Sequence, residues 1–146
     1  MQPTPVSGNT RYFAYGANLS RAHMALWCPT AVPLARAALH DHRLVFRSRA
    51  DIVPSVGDTV QGCLYEVDAA AVAALDEFAD CPALYGRARV RVLAEGQTVD
   101  AMTYRLNPGH PLALPDPDYL NLILQGYRDW GLDLDLLTVD TAGEAS

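Results

Sequence analysis

Between Gly86 and Leu93 the sequence alternates two kinds of residue: Arg87, Arg89 and Arg91 on one parity, Ala88, Val90 and Val92 on the other. A period of two describes a strand with one wet face and one buried face; wound into a helix, the same residues would scatter charge around the axis. Glu95-Gly96-Gln97 offers a tight turn into a second run, Thr98–Leu106, so the two segments are expected to form a hairpin. Arg43–Arg47 (RLVFR) and Thr59–Val67 (TVQGCLYEV) read as further strands, with Gly62 as a candidate bulge. A chain with this many strands in succession has to bury a sheet face, and the helical segments must supply part of the cover.

Those segments are few. Arg11–Tyr15 (RYFAY) is a short apolar and aromatic strand that breaks at Gly16, after which Asn18 or Ser20 can cap a helix reaching about Cys28, where Pro29 stops it. Asp68 is a good cap for Ala69–Phe78, whose Val72, Leu75 and Phe78 share one face. Tyr119–Trp130 sets Leu120, Ile123, Leu124 and Tyr127 along one side and ends at Gly131. Asn107–Asp118 contains four prolines and is expected to be irregular. The expected fold is α+β: a small sheet, curved or closed into a barrel, with a few helices packed outside it. One domain over residues 11–132 is expected, with Met1–Thr10 and Asp133–Ser146 as loose tails.

Composition removes several kinds of function. Eleven basic against seventeen acidic side chains leave a net charge of −6, which disfavours nucleic acid or an anionic membrane as the main partner. All the basic residues are arginine. Without lysine there is no Schiff-base chemistry through an ε-amine and no Walker-type phosphate loop. Cys28, Cys63 and Cys81 are odd in number and far apart, so neither a disulfide framework nor a metal clip is expected. His23, His40, His42 and His110 lack metal-ligand spacing; His40-Asp41-His42 is better explained as a polar turn before the strand at Arg43. A zinc site is therefore not expected. No basic-then-apolar leader opens the sequence and no apolar run would span a bilayer, from which a cytoplasmic location is expected.

The turn Tyr15-Gly16-Ala17-Asn18-Leu19 is the first place where chemistry could sit. Gly16 lets backbone approach a ligand, and free amides at the start of a helix carry partial positive charge suited to an anion. An ordinary strand-to-helix turn with a capping Asn explains the same residues, so both readings stand at this point.

Tyr12-Phe-Ala-Tyr-Gly-Ala-Asn-Leu19 resembles the opening motif of the γ-glutamylcyclotransferase (AIG2-like) family, written YFAYGSNL. The likeness continues through His42–Phe46 with Ala50–Pro54, Gly62–Glu66, Leu75–Asp80 with Tyr85–Arg87, Ala101–Tyr104, and Tyr119 with Gly126–Gly131. The resemblance implies a barrel-like α+β fold and a reaction in which a substrate's own α-amine attacks its γ-glutamyl carbonyl. That releases 5-oxoproline and a free amine or amino acid, with no cofactor. It implies that Tyr15, Gly16, Ala17, Asn18 and Leu19 seat the glutamyl head and that Tyr85, Tyr104 and Tyr119 wall the pocket. Arg87 matches an arginine that can hold a nearby carboxylate. The family's proton-transferring glutamate, within its LDxxEG segment, falls on Ala79. Three explanations of Ala79 stand side by side: Asp80, or less readily Glu77, acts instead; a glutamate has been replaced by design; or the chain binds γ-glutamyl groups without turning them over. The partner expected in each case is a small γ-glutamyl amine or peptide. Oligomeric state is not legible.

Overall fold

The computed structural model describes residues 9–137. The expected tails therefore fall mostly outside the described residues, apart from residues 9–10 and 133–137. Five strands, β1 (Thr10–Ala14), β2 (Val32–Arg47), β3 (Arg49–Val67), β4 (Tyr85–Ala94) and β5 (Gln97–Leu106), close into a barrel in the order β1-β3-β2-β4-β5. Three helices, α1 (Arg21–Trp27), α2 (Ala69–Phe78) and α3 (Pro117–Trp130), accompany it. The fold is α+β, as the succession of strands requires.

The alternating arginines do what their period demands. β4 pairs antiparallel with β5 in an unbroken register from Tyr85↔Leu106 to Ala94↔Gln97, with Val92 buried and Arg89 and Arg91 toward solvent. A parallel pairing of β1 with β5 at Tyr12↔Met102 closes the ring. There the Thr103 hydroxyl donates to the Phe13 carbonyl at 2.7 Å, so a buried polar side chain stitches the seam. Phe13, Phe46, Ile52, Val67, Leu75 and Ile123 are fully buried in one continuous core.

The largest departure from expectation is the length of β2 and β3. Two separate strands, Arg43–Arg47 and Thr59–Val67, are parts of one long hairpin running from Val32↔Glu66 to Arg47↔Arg49. The ladder jumps from His42↔Pro54 to His40↔Thr59 and resumes. Asp41, at φ 60°, faces this excursion and accepts the Gly57 N–H at 3.0 Å. His40-Asp41-His42 is thus a bulge inside a strand, not a turn before one. Gly62 is not a bulge; the irregularities lie at Pro33/Ala35 and His40/His42. A Cβ on Gly62 would lie 2.4 Å from the Ala14 carbonyl oxygen and 2.6 Å from the Phe13 ring, so glycine is there for close strand approach.

Of the two caps expected after Gly16, Ser20 is the one used. A one-turn 3-10 segment, Ala17–Leu19, precedes α1, which starts only at Arg21 because the Ser20 hydroxyl caps it by accepting the His23 N–H at 3.3 Å. α3 begins two residues before expectation: Asp116 caps it and Pro117 occupies its first position, where no N–H is needed. Residues 107–116 are irregular apart from a bridge between Arg47 and Ala113. Asp133–Leu137 holds a 3-10 turn tied to β3 by Gln61, which exchanges two hydrogen bonds with the Asp133 backbone.

α3 is the brace that holds the Ala17–Leu19 turn in place. The Trp130 indole N–H donates to the Leu19 carbonyl at 3.0 Å, and Arg21 stacks over the Trp130 ring at 4.2 Å. Gly126 lets the helix axis approach so closely that a Cβ there would lie 2.2 Å from the Leu19 Cβ.

Candidate active site

A cavity opens at the end of β1, lined by Tyr12, Tyr15, Gly16, Ala17, Asn18, Arg49, Ala50, Leu75, Phe78, Ala79, Tyr85, Tyr104 and Tyr119. Its parts come from every region of the chain: β1 and the 3-10 turn, the tip of the β2–β3 hairpin, the end of α2, and β4, β5 and α3.

Of the residues singled out from the sequence, Tyr15, Gly16, Ala17, Asn18, Ala79, Tyr85, Tyr104 and Tyr119 meet around this space. Leu19 does not line it; its side chain is fully buried in the core and only its backbone continues the turn. Asp80 is exposed, sits just past the end of α2 at φ 49°, and is absent from the lining, as is exposed Glu77. The amides beside Gly16 belong to a single 3-10 turn rather than to the head of a helix, so the expected helix charge is not what they offer; Ala17 and Asn18 offer N–H groups that precede that turn's first bond, Leu19 N–H to Gly16 O.

The tyrosines divide by what their hydroxyls do. Tyr15 donates to the Tyr104 carbonyl at 2.6 Å, and Tyr85 donates to the Ala50 carbonyl at 2.7 Å. Tyr104 donates to the Asp76 carboxylate at 2.6 Å. Tyr119 instead accepts the Ala50 N–H at 3.0 Å, and Tyr12 accepts from the Asn18 amide nitrogen at 3.0 Å. The first three have committed their proton, and the Tyr119 hydroxyl also shares a hydrogen bond with that of Tyr85; Tyr12 keeps its proton to offer elsewhere. Tyr85 and Tyr119 together grip both polar groups of the Ala50 peptide, which fixes the hairpin tip at the cavity edge.

Burial pushes the phenols of Tyr12, Tyr15, Tyr85, Tyr104 and Tyr119 above their ordinary range, because a phenolate would have to shed its water. These groups are donors and walls near neutral pH, never bases. Asp76, which reaches the cavity through Tyr104, is paired with Arg87. Hydrogen bonds from Arg87 hold its carboxyl below the usual range, so it stays ionised and accepts protons poorly. Among the described residues lining the cavity there is no carboxylate and no histidine, and Arg49 is the one charged side chain.

One polar atom in the wall is orphaned. Asn18 is 7% exposed, and its Oδ1 has no hydrogen-bond partner while its Nδ2 serves Tyr12. An unpaired buried acceptor is costly, and a donor arriving with a ligand relieves it. Ala79, 7% exposed on the lining, caps the end of α2 and donates its N–H to Leu75 O at 2.9 Å.

Several lining residues have no counterpart among the sequence-derived site residues. Tyr12 stands in the same aromatic run as Tyr15, and the strand period could have placed it. Phe78 shares a helical face with Leu75, a signal that reads first as core. Ala50 opens the Ala50–Pro54 stretch of the family likeness without being read as a site residue, and Arg49 carries no local signal; the fold-back of the long hairpin brings both here.

A family model described as gamma-glutamyl cyclotransferase, AIG2-like, matches residues 12–130. A gamma-glutamylcyclotransferase from Mus musculus is 30% identical over 135 residues, covering 83% of this chain and 71% of that protein. A solved structure of a gamma-glutamyl cyclotransferase superposes with a TM-score of 0.79 at 28% identity, covering 87% of this chain and 83% of the other. An uncharacterized Homo sapiens protein superposes with a TM-score of 0.80 at 27% identity, over 88% and 83% of the two chains. No described helix is long and apolar enough to cross a membrane. With its barrel, its turn after β1 and its aromatic cavity accounted for, the chain belongs to the AIG2-like gamma-glutamyl cyclotransferase family.

Proposed function

We propose that the cavity binds the γ-glutamyl head of a small γ-glutamyl amine or peptide, folded so that its α-amine meets its own γ-carbonyl, and that position 79 is the proton-transfer site of the cyclisation. One observation carries this reading. The turn Gly16–Asn18 and Ala79, more than fifty residues apart in the chain, face the same small space. Backbone N–H groups of the turn suit the α-carboxylate, and the orphaned Asn18 Oδ1 suits the α-ammonium. Tyr12, which accepts from Asn18 and keeps its own proton, suits the oxyanion that develops on the γ-carbonyl.

In the reaction the α-nitrogen forms a bond to the γ-carbonyl carbon, the amide C–N bond breaks, and the two protons that the α-ammonium loses end on the departing nitrogen. The products are 5-oxoproline and the free amine. Positioning the two ends can lower the barrier by several kcal/mol on its own. These protons still need a carrier, and neutral phenols, an ionised Asp76 and a methyl group at 79 do not supply one. A carboxyl at 79 would lie in apolar surroundings that raise its pKa toward neutrality, which is what such a carrier requires. The chain with Ala79 therefore binds and folds the substrate without turning it over.

The test is Ala79→Glu, with 5-oxoproline release from a panel of γ-glutamyl amines and dipeptides followed by mass spectrometry. Release by the variant and none by the parent is expected. A folded variant that is inert across the panel refutes the proposal. Free glutamate in place of the lactam, released by the parent protein, would show instead that water is the nucleophile.

A further inference from the structure

The cavity does not end at its mouth. A shallow groove continues from it over His23, Phe78, Leu114 and Leu122, and shares Arg49, Phe78 and Tyr119 with the cavity wall. Leu114, an apolar side chain 68% exposed, stands at its edge. Phe78 meets His23 edge-on at 5.0 Å and Trp27 at a tilt, at 4.9 Å between ring centres, so the groove floor is backed by an aromatic cluster.

We propose that this groove is the subsite for the departing half of the substrate, and that it selects γ-glutamyl dipeptides whose second residue carries a bulky apolar side chain, with Arg49 pairing with that residue's carboxylate. The inference rests on the reading that the cavity holds the γ-glutamyl head. In such a dipeptide the scissile nitrogen is attached to a carbon that bears both the carboxylate and the side chain. With the head in the cavity, that carbon lies at the seam where cavity and groove meet, and Arg49 is the cation on both walls. Burial lowers the pKa of His23, so it offers no second cation at neutral pH. Asp116 and Asp118 line the groove and repel a carboxylate placed further along it. The charge pattern thus holds the carboxylate at the seam and sends the side chain along the apolar floor.

Calorimetry on the chain as it stands, with Ala79, separates the parts. The ligands are γ-glutamylphenylalanine, γ-glutamylglycine, γ-glutamylphenethylamide and γ-glutamylmethylamide. Partial burial of a phenyl ring should make γ-glutamylphenylalanine bind about tenfold more tightly than γ-glutamylglycine. An exposed charge pair should make it about fivefold tighter than γ-glutamylphenethylamide, which lacks the carboxylate. Leu114→Asn should narrow the first ratio. Arg49→Gln should abolish the second, by weakening the phenylalanine conjugate and leaving the phenethylamide within twofold. Equal affinities across the four ligands, or an equal loss on both aromatic ligands in Arg49→Gln, overturn the groove assignment while the head reading stands. If none of the four binds, the head reading falls, and the groove assignment with it.

Discussion

Gly126→Ala sets two known effects of opposite sign against each other. In an exposed helix the substitution stabilises by about 1 kcal/mol, since alanine loses less backbone freedom than glycine. Here Gly126 is buried, and an added methyl would stand 2.2 Å from the Leu19 Cβ, 2.6 Å from the Leu19 carbonyl carbon and 2.8 Å from the Ser20 nitrogen. Two of those three atoms are backbone and cannot rotate away. Restoring an ordinary contact near 3.5 Å means shifting helix or turn by roughly 1 Å, and such overpacking costs about 1–3 kcal/mol, more where backbone moves. The steric effect should win, leaving the variant about 1–2 kcal/mol less stable and lowering Tm by about 3–8 °C for a chain of this size. Urea unfolding followed by circular dichroism gives the first quantity and a thermal scan the second. Gln125→Ala, on the exposed side of the same helix, serves as the control and should shift Tm only slightly. Because α3 seats the Ala17–Leu19 turn through Trp130, γ-glutamyl ligands should also bind more weakly to Gly126→Ala. A Tm equal to or above the parent's would refute the claim that this contact decides the helix position.

Gly16→Ala tests the site more directly. An added Cβ would lie 3.3 Å from both the Ala50 Cβ and the Tyr119 hydroxyl, a contact tight enough to fill cavity space yet mild for the fold. Stability should fall by less than about 1 kcal/mol, while γ-glutamyl affinity should drop at least about tenfold by calorimetry. Asp76→Asn tests the acid range. Arg87 holds the folded-state pKa of Asp76 below its unfolded value, so the pair adds stability above about pH 4 and loses it as pH falls through the lowered folded value. Urea titrations between about pH 5 and 2.5 should show a shallower loss of stability in the variant than in the parent; parallel curves would refute the linkage.

What could be read from the sequence was whatever depends on near neighbours. The arginine alternation of β4, the Asp68 cap of α2 and the Gly131 stop of α3 are local devices, and each element forms where those devices lie. β2 and β3 were legible only in halves. Their joint ladder is held across Ser55–Asp58 by Asp41, a residue whose partner is sixteen positions away. The cavity divides in the same way. The turn after β1 and the tyrosines of β4, β5 and α3 sit in recognisable motifs, whereas Arg49 and Ala50 enter through hairpin geometry, and the grip of Tyr85 and Tyr119 on the Ala50 peptide has no sequence signature. Leu19 shows the limit of motif reading: it stands beside lining residues, yet its side chain belongs to the core.

The ring closes where β1 meets β5, and that junction has a kinetic meaning. Tyr15 reaches the Tyr104 carbonyl, and Thr103 reaches the Phe13 carbonyl, across separations of 89 and 90 residues. Contacts so distant form late, after the nearer hairpins have shortened the loops between them. Tyr12, Tyr15 and Tyr104 therefore come together only once the circle of strands is complete. A nascent or half-opened chain has no binding chamber at all, and any molecule that occupies the chamber acts as a clasp on the last joint to shut.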